Sequence, residues 1–203
     1  MGVLRRLFGS SKDEIWRQLS EQLGGRFVEG TWVKGSKVEA THDEWTLTLD
    51  SYAVSTGKVT VVYTRMRAPY VNPAGFRFTV YRKSIFSGMG KFFGMQDIEV
   101  GDAEFDDKFI IKGTDESVVR QLFSNPRIRE LIAKQPDIQF SVKDDEGWFG
   151  AKFPEGVDEL HFVAHGVIKD LERLRAIYDL FAETLDQLCR IGAAYEGTAD
   201  VRF

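Results

Sequence analysis

Between about residue 26 and residue 85 the chain alternates apolar and polar side chains and is rich in β-branched and aromatic residues. Alternation with a period of two is typical of β-strands that bury one face. Links such as 34–36, 42–44 and 55–57 are short, and short links join antiparallel neighbours because a parallel crossover needs about a dozen residues. We therefore predict an antiparallel meander of five strands, at residues 26–32, 37–42, 45–54, 58–67 and 76–85.

Helical periodicity precedes and follows this stretch. Ser11 and Glu14 have the spacing of a capping box, which predicts a first helix over about residues 12–24. Apolar residues recur on one face between Leu171 and Leu188, which predicts a long amphipathic helix over about residues 169–191. Two short helices, at 116–123 and 126–134, and further strands at 97–100, 108–112, 138–143, 148–153 and 159–167 complete the pattern.

This order of elements predicts an α+β fold, in which antiparallel β-meanders pack against helices and a long C-terminal amphipathic helix. A length of 203 residues predicts a single domain over residues 1–203, either undivided or built from two closely packed α+β halves at 12–100 and 101–194. The tail at 195–203 has no periodicity, and we expect it to be loosely ordered.

Composition excludes several classes of protein. The sequence has 43% apolar residues, no apolar run long enough to cross a membrane and no signal-peptide pattern, so we predict a cytoplasmic protein. The single cysteine, Cys189, excludes an internal disulfide and a cysteine-based zinc site. Residues 1–100 carry a net charge of +4 (14 basic and 10 acidic), whereas 101–203 carry −8 (13 and 21). This asymmetry indicates an unevenly charged solvated surface or, alternatively, halves that meet each other or an anionic partner.

The residues that could carry catalysis or bind metal do not form a known motif. His161 and His165 have the spacing of a helical zinc site, but on a strand they would lie roughly 13 Å apart. The acidic run at 101–107 lacks the glycine and glutamate positions of an EF-hand. Phosphate-binding, dinucleotide-binding and nucleophile-elbow motifs are also missing. We therefore predict no catalytic residue, metal or cofactor.

One segment, 75–82, partly matches the RNA-recognition octamer, but Ala74, Arg77 and Thr79 depart from it. The helix that such a domain needs is also missing from the predicted elements, so we predict no specific nucleic-acid motif. What remains is a surface of outward-facing side chains that could bind anionic groups or stack on rings. It consists of Arg65 and Arg67 on one strand and Arg77, Tyr81 and Lys83 on the next; a solvated face without a ligand is the alternative.

Several segments together resemble an uncharacterised family of bacterial soluble proteins, a domain of unknown function. The most specific is the Gly-Asp-x-Glu-Phe-Asp motif at 101–106, which runs into the segment 109–112. The resemblance covers about residues 12–194 and implies a bacterial cytoplasmic protein. It implies no activity, substrate or site residue.

These observations predict a non-catalytic binding or interaction module for a protein partner or a small anionic ligand. One alternative is an enzyme whose site combines the carboxylates at 102–107 with His161 or His165. The other is peripheral membrane association, because the segment 3–8 is a short basic amphipathic stretch that could make a weak membrane contact.

Overall fold

The computed structural model describes residues 11–31, 35–84, 96–144 and 153–195, together with 197, 199 and 201. Within these ranges it contains five helices and nine strands. The helices are α1 (Lys12–Gln22), α2 (Ala103–Lys108), α3 (Glu116–Phe123), α4 (Pro126–Ala133) and α5 (Leu171–Arg190). The strands are β1 (Arg26–Val28), β2 (Lys37–His42), β3 (Trp45–Ser55), β4 (Thr60–Val71), β5 (Phe78–Arg82), β6 (Gln96–Asp97), β7 (Phe109–Gly113), β8 (Gln139–Lys143) and β9 (Val157–His165).

All nine described strands form one antiparallel sheet in the order β1-β2-β3-β4-β9-β8-β5-β7-β6. The α+β class is therefore confirmed, and β1 to β4 form the predicted meander. The meander does not extend to the fifth strand, because β9 pairs with β4 over nine residues and β8 separates β9 from β5. Strands from the two halves of the sequence are thus interleaved in the sheet.

The helices cover one face of this sheet and form a continuous apolar core with it. Phe78 of β5 and Phe140 of β8 meet with ring centroids 5.4 Å apart, and Phe140 contacts Phe181 of α5 at 5.5 Å. Trp16 of α1 is fully buried and donates its indole N–H to the carbonyl of Ile168 at 3.1 Å. Because successive strand residues point to opposite faces, the residues between these core positions lie on the face that the helices leave uncovered.

Most helices were predictable from their caps. The capping box of Ser11 and Glu14 is present, and Asp115, Asn125 and Asp170 accept hydrogen bonds from the first-turn N–H groups of α3, α4 and α5. Helix α2 was not predicted as a helix. No helix in the described ranges is both long and apolar enough to span a membrane.

Some predicted features lie outside the described residues. These are the N-terminal amphipathic segment, nearly all of the predicted strand at 148–153 and about half of the predicted tail. Of the tail, Tyr195 is described, and its N–H donates to the carbonyl of Val71 at 3.2 Å.

Candidate functional site

The face of the sheet opposite the helices carries a row of buried polar side chains across four neighbouring strands. The strand register places Arg67 of β4 opposite His161 of β9. His161 in turn lies opposite Ser141 of β8, and Ser141 lies opposite Thr79 of β5. Each of the four residues is at most 3% exposed. Because a buried polar group is costly unless it forms hydrogen bonds, this polar row (Arg67, His161, Ser141 and Thr79) is the candidate functional site.

A carboxylate on β3 holds the two arginines of β4. Asp50 accepts two hydrogen bonds from Arg65, from Nε at 2.9 Å and from Nη2 at 2.8 Å. It also accepts a hydrogen bond from Nη2 of Arg67 at 2.6 Å. The guanidinium of Arg65 lies 5.0 Å from the ring centroid of Tyr52, where the ring face attracts a cation. The guanidinium of Arg67 is therefore fixed at one end of the polar row.

His161 in the middle of the row is a neutral imidazole. Nζ of Lys143 lies 3.2 Å from Nε2 of His161. An ammonium group can only donate, so Nε2 accepts and the ring proton lies on Nδ1. Burial lowers the pKa of His161 well below its ordinary value, and the positive charges of the neighbouring lysine and two arginines lower this pKa further. The fully buried Glu159 places Oε1 3.9 Å from Nε2 of His161.

In His161, Ser141 and Thr79 of the polar row, one side-chain atom each has no hydrogen-bond partner in the part of the chain that the structure describes. These atoms are Nδ1 of His161, Oγ of Ser141 and Oγ1 of Thr79, on three adjacent strands. An unsatisfied buried polar group costs about 1–3 kcal/mol. All three atoms can donate a hydrogen bond, so acceptor atoms placed along the row would satisfy them.

The structure corrects the predicted exposure of two site residues. Arg67 and Tyr81 were expected to point into solvent, but Arg67 is 3% exposed and Tyr81 is fully buried. Burial also raises the pKa of Tyr81. The prediction that these residues line an open surface is wrong, because both faces of the sheet centre are buried, and alternation along a strand does not distinguish a solvated face from a covered polar one. Arg65 is partly exposed and joins Arg67 at the carboxylate of β3.

The remaining predicted residues, Arg77 and Lys83, lie away from Arg65 and Arg67. Strands β9 and β8 separate β4 from β5, so the expectation that Arg65 and Arg67 lie on a strand next to Arg77, Tyr81 and Lys83 is wrong. Arg77, just before β5, pairs with the carboxylate of an exposed aspartate, residue 144, at 2.8 Å. Lys83 follows β5, is exposed and borders a surface groove of about 470 Å³. Whether any of the five residues binds a ligand stays a prediction.

The acidic motif at 101–106 stabilises local structure. Asp102 caps α2, accepting a hydrogen bond from the N–H of Phe105 at 3.2 Å and another from Nε of Arg129 at 3.0 Å. The backbone hydrogen bond from Phe105 is the largest of the effects that lower the pKa of Asp102. Asp106 accepts hydrogen bonds from the N–H groups of residues 100 and 101, each at 3.0 Å. The two bonds to Asp106 close the turn that leads into α2, and the bond from Arg129 links its cap to α4.

These carboxylates do not meet the predicted histidines. Helix α2 packs beside β7, and β8 and β5 lie between β7 and the strand that carries His161. His165 is exposed and pairs instead with Asp137, whose Oδ2 lies 2.8 Å from Nδ1. The described structure therefore does not assemble a site from the carboxylates at 102–107 and either histidine.

Sequence reasoning missed the roles of Lys143, Glu159 and Ser141. The available signal was the alternation along β9, where polar residues occupy positions 159, 161 and 165 and apolar residues occupy 160, 162 and 164. Alternation assigns these residues to one face, but it does not identify the strands on either side, and those strands supply the partners.

Comparisons with known proteins add little to this description. No family model matches the chain, and no curated protein matches it. One solved structure is similar: the crystal structure of the mycobacterial trehalose monomycolate transport factor A, TtfA. The two structures superpose with a TM-score of 0.47, and the sequences are 8% identical. The match covers 85% of this chain and 95% of that chain. A likeness of this degree identifies neither a shared activity nor a shared partner. The family resemblance based on the motif at 101–106 stays a prediction.

Proposed function

We propose that this protein is a non-catalytic binding module whose polar row holds a small anionic group of its ligand, a carboxylate or a phosphate. The observation that carries the proposal is the set of three donors on adjacent buried strands that have no acceptor in the described part of the chain. They lie beside three cationic side chains, those of Arg65, Arg67 and Lys143.

The charges around the row favour an anion. Three cationic side chains and two acidic ones, Asp50 and Glu159, surround a histidine that is neutral, so basic groups outnumber acidic groups around the row. Different oxygens of an anionic group over the row would accept hydrogen bonds from the hydroxyls of Ser141 and Thr79 and from Nδ1 of His161. In a buried environment of low dielectric such charge-assisted bonds are stronger than in water.

The edge of the cluster reaches solvent. The side chain of Arg65 is 21% exposed and that of Asp50 is 17% exposed. Lys143 is also partly exposed, whereas His161 and Glu159 are buried. A ligand would therefore enter from the side of the partly exposed residues with its charged group first, and its uncharged part would stay outside the row.

Thermal unfolding of the purified chain in phosphate, succinate and chloride at equal ionic strength tests this proposal. A ligand that binds only the native state raises the Tm. We expect phosphate or succinate to raise the Tm above its value in chloride, and the more effective anion identifies the ligand class. Equal Tm values in all three salts over a wide concentration range would overturn the proposal.

Two substitutions make the test specific. Ser141→Ala removes one of the hydroxyls without a described partner, so it should not lower the Tm in chloride, whereas it should reduce the shift caused by the anion. The matched control is Thr64→Val, because the hydroxyl of Thr64 donates to the carbonyl of Gly166 at 2.8 Å and accepts from the N–H of Ile168 at 2.9 Å. The control should lower the Tm in chloride and keep the anion shift. An anion shift that Ser141→Ala leaves intact would contradict the assignment to the polar row.

A second candidate function is an enzyme that uses His161 for proton transfer. It is favoured by the neutral imidazole with Glu159 3.9 Å from its Nε2, since an imidazole acts as a general base only in its unprotonated form. Hydrolysis of p-nitrophenyl phosphate or p-nitrophenyl acetate by the native chain, lost in His161→Gln, would favour the enzyme over the binding module.

A further inference from the structure

A second polar cluster lies where the β2–β3 hairpin meets α5. His42 ends β2, Asp43 lies in the turn that follows and Asp186 belongs to α5. Nε2 of His42 lies 2.8 Å from Oδ1 of Asp186 and 4.0 Å from Oδ2 of Asp43. One ligand atom from each residue lies within 4.8 Å of the other two.

We propose that His42, Asp43 and Asp186 bind a divalent transition-metal ion, with Zn²⁺ the best fit. One imidazole nitrogen and two carboxylate oxygens form a donor set that zinc accepts in proteins, with water completing the coordination. This inference is independent of the anion site, because the two sites share no residue.

The distances are compatible with a single ion. Zinc binds imidazole nitrogen and carboxylate oxygen at about 2.0–2.2 Å, so two ligands on one ion lie about 3.0 Å apart at a right angle and about 3.4 Å apart at a tetrahedral angle. The observed separations of 2.8 and 4.0 Å from Nε2 lie on either side of these values. The carboxylates of Asp186 and Asp43 are 35% and 67% exposed, so small side-chain rotations bring both into range.

The scaffold holds the imidazole in place. The ring of His42 stacks on Trp45 with centroids 6.0 Å apart, and Trp45 is almost fully buried. The hydroxyl of Tyr178 in α5 donates to the carbonyl of Thr41 in β2 at 2.8 Å, which ties the hairpin to the helix. The ligands therefore come from two elements that are already joined.

The local charge also favours a cation. With a neutral imidazole, the two carboxylates give the cluster a charge of −2, which a divalent ion compensates. Within the described residues neither Asp43 nor Asp186 forms an ion pair with a lysine or arginine; His42 is the partner of both. A metal ion would take the place of the hydrogen bond between Nε2 of His42 and Oδ1 of Asp186.

Isothermal titration of the untagged chain with ZnCl₂, in a buffer free of phosphate, tests the site. We expect one equivalent of Zn²⁺ to bind in the native chain, and His42→Ala and Asp186→Asn each to weaken binding by at least about tenfold. The matched control is His165→Ala, because His165 and Asp137 form a similar pair at 2.8 Å without a third ligand. This control should bind zinc as the native chain does.

Two results would overturn the proposal. One is a native chain that binds no zinc, which would leave the cluster a simple histidine–aspartate pair. The other is unchanged zinc affinity in Asp186→Asn, a substitution that keeps the size of the side chain and the packing of Trp45. Circular dichroism identifies a variant that has lost its fold. Anion binding measured on the same variants separates a failure at this site from a failure of the polar row.

Discussion

Replacing His161 should make the stability of the protein less sensitive to acid. Burial lowers the pKa of His161 in the folded state, and the nearby cations lower it further. The unfolded chain, in contrast, protonates this residue at its ordinary pKa, about 6.5. Below that pH the unfolded state binds more protons than the folded state, so the contribution of His161 to stability is complete above about pH 6.5 and is lost as the pH falls towards the folded pKa.

The size of the effect follows from proton linkage. One pH unit over which a single proton distinguishes the two states changes the free energy of unfolding by about 1.4 kcal/mol. With an unfolded pKa of about 6.5, lowering the pH from about 7.5 to about 5.5 costs the native chain about 1.4 kcal/mol through His161, provided that its folded pKa stays below the lower pH. Acidic groups add their own pH dependence, which the native chain and a His161 variant share.

Urea unfolding of the native chain and of His161→Gln at the two pH values isolates this contribution. We expect the free energy of unfolding to fall by about 1.4 kcal/mol more in the native chain than in the variant. The control His165→Gln should fall as much as the native chain, since His161 is still present. Identical losses in the native chain and in His161→Gln would refute the reasoning, because His161 would then take up protons equally in both states.

Four further substitutions test the ion pairs, the packing and a helix cap. Asp50→Ala removes the carboxylate that holds the buried guanidinium of Arg67, and it should lower the free energy of unfolding in urea by about 3–5 kcal/mol. Glu116→Ala breaks the exposed pair with Arg120 and should lower it by less than about 1 kcal/mol. Gly113→Ala places a Cβ against a methyl group of Val119 and should lower stability by about 1–3 kcal/mol; a Tm equal to the native value would contradict this contact. Ser11→Ala removes the cap of α1 and should cost about 1 kcal/mol by the same urea assay.

Much of the fold was predictable because its signals are local. A cap depends on residues three positions apart, as in Ser11 and Glu14, and the apolar stripe of α5 is contained in one segment. Helix α2 was missed because six residues give too few turns for a helical period to emerge.

The sheet order was not predictable, because it depends on contacts between distant segments. Short links identify β1 to β4 as neighbours, but they do not determine which strand occupies the free edge of β4. A long strand from the C-terminal half occupies that edge, so Arg67 lies opposite a residue 94 positions later in the chain, His161. The partners of the polar row have the same origin, and one sequence gives no local signal for them.

The position of the polar row nevertheless follows from apolar residues that the sequence displays. Along β9, Leu160 and Phe162 are fully buried in the core on the helical face, and His161 between them points to the other face. A shift of one residue in the pairing of β9 would turn both apolar side chains away from the core and His161 into it. Burying Leu160 and Phe162 stabilises the fold by about 1.5–3 kcal/mol each, so the correct register is strongly favoured. The core on one face of the sheet thus holds His161 between Arg67 and Ser141 on the other face, although some hydrogen-bonding atoms of the row have no partner in the described part of the chain.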